Sequence, residues 1–353
     1  MIKKIEIFLQ NLHFRQSFQI AYEKVDSAPI IVVKIADSNS HYGLGSASPE
    51  EEVTGEKVSQ GLKALRAKLN KGFFDRPLEL IYYYHEKIQK TFFGLPAAQS
   101  AVEEAILNLL AKKNKLPLSL FLGGYRKQCP IMFTICIKDI RETIKEAKEV
   151  VGKGFEIIKV KCGLNLAQDL QKAVQLRKMV PKKVQLGFDA NQGYTFYQAK
   201  QFLGAVAKIQ AVFVEQPIRA NDWQGLKKLS LLSRVPVIAD ESAANFEKSL
   251  KILSGGYANG INIKLMKCGG PINCSKIFHL AQSLKKITLL GCAYESNISI
   301  TTGTALALAL PFDYVDLDSG NLDFDDDPAT GGVLVKRGRI SFAKQPLKLR
   351  SAR

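Results

Sequence analysis

The sequence predicts a (β/α) barrel preceded by a smaller α+β unit, and three observations predict it. The chain has 353 residues, more than one ordinary core holds and enough for a large domain with a small companion. From Met132 onward, short apolar segments recur about every 25 residues with helical patterns of roughly 10–15 residues between them, the rhythm of repeated βα units. Eight such segments in succession favour a closed barrel over an open doubly wound sheet. No Gly-x-Gly-x-x-Gly follows an early strand, so a dinucleotide-binding sheet is disfavoured.

Taken in order, Lys4–Leu9 and Ile30–Ile35 read as strands, followed by a Gly-containing loop over His41–Pro49. Helical patterns cover 55–69, 77–90 and 97–113, and LPLSLFLGG closes the first unit with a turn. The barrel strands are expected at Met132–Ile137, Ile157–Cys162, Val184–Asp189, Ala211–Glu215, Val235–Ala239, Gly260–Lys264, Ile287–Leu290 and Tyr314–Asp316. The stretch GGVLVKRGRISF reads as a hairpin returning to the first unit.

Composition narrows the function classes. Hydrophobic residues make up 46% and charged residues 24%, as in ordinary globular proteins. No apolar run approaches the ~20 residues needed to span a bilayer. The opening MIKKIEIFLQNLHF alternates like a strand and is broken by Glu6, Gln10 and Asn11, unlike a signal peptide. Six cysteines are scattered without CxxC spacing, which points to free thiols in a reducing, cytoplasmic setting. The net charge of +17 raises the alternative of a basic nucleic-acid-binding protein on a degenerate barrel. Its lysines and arginines, however, are spread along helices and interleaved with acids, as in Arg141, Lys145 and Lys148 among Glu142, Glu146 and Glu149. That is the pattern of solvated helix faces, so neither nucleic acid nor membrane is expected as a partner.

Barrel chemistry sits at the carboxyl ends of the strands. The second strand carries Lys159 and Lys161, the third ends at Asp189, the fourth at Glu215, the fifth at Asp240-Glu241 and the sixth at Lys264. From Lys161 the successive intervals are 28, 26, 25 and 24 residues, one βα unit each, so all five side chains reach one rim. Asp189, Glu215 and Asp240 form an oxygen-only set that suits a hard cation such as Mg²⁺. Lys161 and Lys264 flank it, and partly buried lysines beside a cation are expected to have lowered pKa values and to serve as bases. The chemistry implied is abstraction of a proton alpha to a carboxylate, with the enediolate stabilised by the metal. Lys159 shares a strand face with Lys161 and adds positive potential. A single such acid is commonly a helix N-cap and a single Lys-x-Lys a wet strand face; five matched positions together overturn those readings. Asn191 and Glu241 are read as supporting contacts or caps.

The ordered set LGGY, KVKCG, DANQGY, VEQP, ADES and IKLMKCGG resembles the enolase superfamily, muconate-lactonizing-enzyme subgroup. The resemblance implies a modified (β/α)7β barrel at 126–318, an α+β capping domain at 1–125 and a C-terminal segment at 319–353 returning to the cap. It implies one Mg²⁺ per subunit and a homo-oligomer. Within the subgroup the lysines serve cycloisomerases, o-succinylbenzoate synthases and dipeptide epimerases. The last strand reads YVDLDSG, and its Asp316 and Asp318 resemble the pair with which dipeptide epimerases hold the substrate's α-ammonium group. Thr134 matches a dipeptide-contacting position. Family members acting on L-Ala-Glu place an arginine in the loop after the first strand; here SFQIAYEKVDSAP puts Glu23 there, with Lys24 beside it. An acid at that point favours a cationic second residue.

Overall fold

The computed structural model describes residues 2–350. Three strands, β1 (Ile2–Gln19), β2 (Lys24–Asp37) and β3 (Tyr42–Ala47), form an antiparallel sheet with β2 in the centre. The β1/β2 ribbon is far longer than the apolar runs suggest, because pairing continues through polar residues from Ile2↔Asp37 to Gln19↔Lys24. The segment His41–Pro49, expected as a loop, contains β3. Its glycines are not turn residues: a Cβ on Gly43 or Gly45 would lie 1.9 Å from the carbonyl oxygen of Ala105 or Ala101. They are there because the helix Pro96–Lys113 crosses the strand backbone to backbone. Helices Val58–Lys68 and Ile81–Thr91 complete this unit, close to their expected bounds.

After the short strand β4 (Gln128–Pro130), eight parallel strands follow in unbroken neighbour order: β5 (Phe133–Ile135), β6 (Ile157–Lys161), β7 (Gln185–Asp189), β8 (Phe213–Glu215), β9 (Val237–Ala239), β10 (Gly260–Lys264), β11 (Ile287–Gly291) and β12 (Tyr314–Asp316). The Met132 N–H donates to Val315 O at 2.8 Å across the seam between β12 and β5. Polar caps start the outer helices: Asp139, Asn165, Thr195, Asp222, Asn245 and Ser296 each accept a backbone N–H of the following turn.

Strand alternation fills the barrel in layers. Met132, Ile157, Phe213, Ile238 and Leu289 form an apolar floor. Gly187 has no side chain because the Phe213 ring occupies its place, 2.3 Å from where a Cβ would stand. Ile158, Val160, Leu186, Phe188 and Val214 face outward into the core shared with the helices. The inward positions above the floor are therefore free to carry charge.

The C-terminal hairpin, β13 (Val333–Lys336) with β14 (Arg339–Phe342), pairs with β4. It thus docks beside the start of the barrel, and its Phe342 packs against the cluster of Leu107, Ala111 and Leu118 in the first unit. Its flanks add further contacts to that unit. Arg15 N donates to Asp323 O at 2.8 Å, and Phe324, Ala329 and Leu347 share a core with Leu12, Ile30 and Val32.

Candidate active site

Alternation along β6 turns Ile157, Lys159 and Lys161 inward, and register sets Lys161 opposite Asp189 and Asp189 opposite Glu215. Lys161 Nζ donates to Asp189 Oδ2 at 2.7 Å and to Asn191 Oδ1 at 2.9 Å. Lys159 Nζ lies 3.1 Å from Asp189, 2.8 Å from Glu215 and 2.8 Å from Asp316. Across the barrel, Lys264 Nζ is 2.9 Å from Asp240 Oδ2. All five rim residues are buried, Asp189 and Glu215 completely.

Burial disfavours each ammonium, but the carboxylates outweigh it. Asp189 raises Lys161, Asp240 and Glu215 raise Lys264, and Asp189, Asp316 and Glu215 hold Lys159 well above the ordinary range. The lowering expected of these lysines applies beside a bound cation; here each ammonium faces a carboxylate directly, which raises it. On the acid side, burial would raise Asp240, yet Lys264 and Lys267 hold it well below the usual range. Burial and Asp189 push Glu215 up to about 7, and burial with Asp240 pushes Glu241 up to about 8.

A hard divalent cation suits this donor set. Asp189, Glu215 and Asp240 offer only oxygens, and Glu241 Oε2 beside them is buried without a hydrogen-bond partner. Among the described residues no three such side chains converge as a ligating group, and Lys159 Nζ lies within 3.1 Å of both Asp189 and Glu215. Asn191 bridges Lys161 to Glu241, donating to Oε1 at 3.2 Å.

Asp316 and Asp318 sit at the end of β12 facing Thr134. The Thr134 N–H donates to Asp318 Oδ2 at 2.6 Å and its hydroxyl to Asp316 Oδ1 at 3.0 Å. Burial and Asp316 push Asp318 up to about 6. Both acids line a narrow cavity of about 50 Å³ that also touches Lys159, Lys161 and Lys264. A second chamber of about 130 Å³ adjoins it through Glu50 and Tyr294 and ends at Glu23. Glu23 lies in the turn between β1 and β2 and accepts a 2.8 Å bond from the Tyr294 hydroxyl. Lys24, paired in register with Gln19, is exposed and lines neither space.

Sequence reading missed several site residues. Asn262, which donates to Glu215 Oε1 at 2.6 Å, stands two before Lys264, so strand alternation gave a signal for it. Lys267 is fully buried and donates to Asp240 O, Asp240 Oδ1 and Asn262 O; one helical turn beyond Lys264, it reads as an ordinary surface lysine. Glu50 lies in the run SPEEE, which looks like a solvated loop. Burial, opposed by Lys264 and reinforced by Glu23, pushes it up to about 7.

Comparison with known proteins agrees with this architecture. Residues 3–123 match the family model described as mandelate racemase / muconate lactonizing enzyme, N-terminal domain, and residues 142–346 match enolase C-terminal domain-like. An L-Lys-D/L-Arg epimerase of Desulforapulum autotrophicum is 31% identical, with 98% of each chain covered. A hydrophobic dipeptide epimerase of Enterococcus faecalis is 31% identical over 95% of each. The structure of a dipeptide epimerase from Methylococcus capsulatus, complexed with Mg and the dipeptide L-Arg-D-Lys, superposes with a TM-score of 0.90 at 29% identity and 98% coverage of both chains. With the first unit and most of the barrel each matched, the chain belongs to the mandelate racemase / muconate lactonizing enzyme family of the enolase superfamily.

Proposed function

We propose that this protein is a Mg²⁺-dependent dipeptide epimerase that inverts the α-carbon of the second residue by a 1,1-proton transfer. The observation that carries the reading is the placement of Lys161 and Lys264 on β6 and β10, opposite sides of one cavity, with Asp316 and Asp318 lining the same space. Two bases on opposite faces can take a proton from one side of a carbon and return it on the other. Asp316 and Asp318, already aligned by Thr134, hold the substrate's α-ammonium group. Neither o-succinylbenzoate synthase nor a cycloisomerase has a cationic group for that pair to hold. Asp189, Glu215 and Asp240 would hold Mg²⁺, which supplies positive charge to the substrate carboxylate when bound. Lys159 adds positive potential beneath it, and Asn191 and Glu241 steady Lys161.

The chamber beyond Tyr294 receives the second side chain. Its walls carry two carboxylates, Glu23 and Glu50, so a lysyl or arginyl side chain is favoured over a glutamyl one. Relatives that share this fold act on both cationic and apolar dipeptides by name, so the walls of this chamber are where the choice falls.

Incubation with a dipeptide library in D₂O tests the reading: deuterium appears at the second α-carbon, and a library without exchange sinks it. Basic second residues are expected to be preferred by roughly 10- to 200-fold in kcat/KM. Glu23→Arg should turn the preference toward a glutamyl second residue; native preference for L-Ala-Glu would overturn the role given to Glu23.

A further inference from the structure

The strand ladder between β8 and β9 is short, with only Val214↔Val237 and Glu215↔Ile238 in register. The carboxylates of Glu215 and Asp240 stand at its end. Beyond that point the strand ends are joined by Gln216 and by Ser242 Oγ, which donates to Ala220 O at 3.0 Å. Gln216 is fully buried, and its φ of 31° lies in the left-handed region that non-glycine residues rarely adopt. That backbone turn aims the amide along the rim toward β9.

Every hydrogen-bonding site of the Gln216 amide is used. Oε1 accepts the backbone N–H of Asp240 at 2.9 Å and of Ser242 at 3.0 Å. Nε2 donates to Ile218 O and to Ser242 Oγ, both at 2.9 Å. Its main chain continues the stitch on both sides: Gln216 N donates to Ile238 O at 2.9 Å, and Gln216 O accepts from Gln192 N at 2.8 Å. Gln192 follows Asp189 by three residues, so the same residue ties the ends of three consecutive strands, the three that carry Asp189, Glu215 and Asp240.

We infer that Gln216 is a positioning residue that fixes the relative placement of Glu215 and Asp240 and so presents the carboxylates jointly to a divalent cation. The inference rests on the Mg²⁺ reading above. Only an amide of this length serves, because two lone pairs must meet two N–H groups while two N–H bonds are given elsewhere. Glutamate lacks the donors, methionine lacks both functions, and asparagine is one methylene short. A residue that merely stabilised the fold would need no such match to the Asp240 N–H.

The test titrates Mg²⁺ into the full-length wild type, Gln216→Met and Ser242→Ala by calorimetry, with thermal unfolding of each with and without Mg²⁺. Groups that orient metal ligands typically set 10- to 100-fold in affinity, so Gln216→Met is expected to weaken the Mg²⁺ Kd within that range. Ser242→Ala, which removes one of the four amide bonds, is expected to weaken it less, and the Mg²⁺-dependent rise in Tm should shrink in the same order. A Gln216→Met protein that melts lower yet binds Mg²⁺ with the wild-type Kd overturns the inference. If that variant cannot be obtained folded, Ser242→Ala decides, and an unchanged Kd overturns it. Wild type that takes up no Mg²⁺ overturns the metal reading itself, a result distinct from wild-type binding that the substitutions leave intact.

Discussion

At the residue scale, Lys161 and Lys264 hold mirrored positions, each within 3 Å of a rim carboxylate. Replacing either by Ala should therefore remove one hand of the proton transfer and lower two-way epimerisation by at least ~10²–10⁴. One substrate epimer should still exchange its α-proton with solvent, and Mg²⁺ should still bind. Chiral analysis of the product checks this, and full two-way turnover in either variant would remove the assignment. Glu56 gives a prediction independent of the chemistry. It is buried, accepts the N–H groups of Ala97 at 2.8 Å and Ala98 at 3.3 Å, and caps the helix Pro96–Lys113. Burial, opposed by those two bonds, pushes it from 4.5 up to about 7. Between these values the folded chain holds a proton that the unfolded chain has lost, so stability falls as pH rises through the window. Two and a half pH units at ~1.4 kcal/mol each give a loss of up to ~3.5 kcal/mol. Glu56→Gln keeps the acceptor, so urea unfolding from pH 4.5 to 8 should show a flatter profile than wild type. Parallel profiles would refute the account. The rim residues were legible because strand ends announce themselves by alternation. Glu50 and Gln216 were not, since a loop acid and a buried amide carry no periodic signal.

At the element scale, Gly43 and Gly45 let a helix lie directly on β3. Gly45→Ala would force a methyl group to 1.9 Å from Ala101 O, and backbone on both sides leaves no side chain to swing aside. Destabilisation at or above the ~1–3 kcal/mol usual for overpacking is expected, read as a lower urea midpoint; an unchanged midpoint would contradict the close approach. The same strand shows why part of the fold was hidden. Two glycines in six residues resemble a loop until the partner helix is known, and their meaning is set by a contact more than fifty residues away. The barrel strands were easier to place, because each is an apolar run followed by a polar cap. The observed carboxyl ends of β7, β8, β9, β10 and β12 coincide with the expected ones, whereas β8 and β9 begin two residues later than expected.

At the scale of the whole molecule, the +17 charge is carried by helix faces, while the cavity between the lysines is walled by acids. A field spread in this way supports only loose, non-specific attraction to polyanions. Retention on immobilised duplex DNA should accordingly vanish by about 0.2 M salt, since phosphate binding weakens steeply with ionic strength. Persistence at that salt would reopen the nucleic-acid alternative. The cavity is assembled from distant parts of the chain: strand ends between Lys159 and Asp318 supply the lysines and acids of the proposed chemistry, whereas Glu23 and Glu50 come from the first fifty residues. This division makes the protein evolvable in a particular way. Drift in the turn between β1 and β2 can retarget the catalyst to a new diet of substrates while the inherited chemistry, sealed in another stretch of the gene, passes on unaltered.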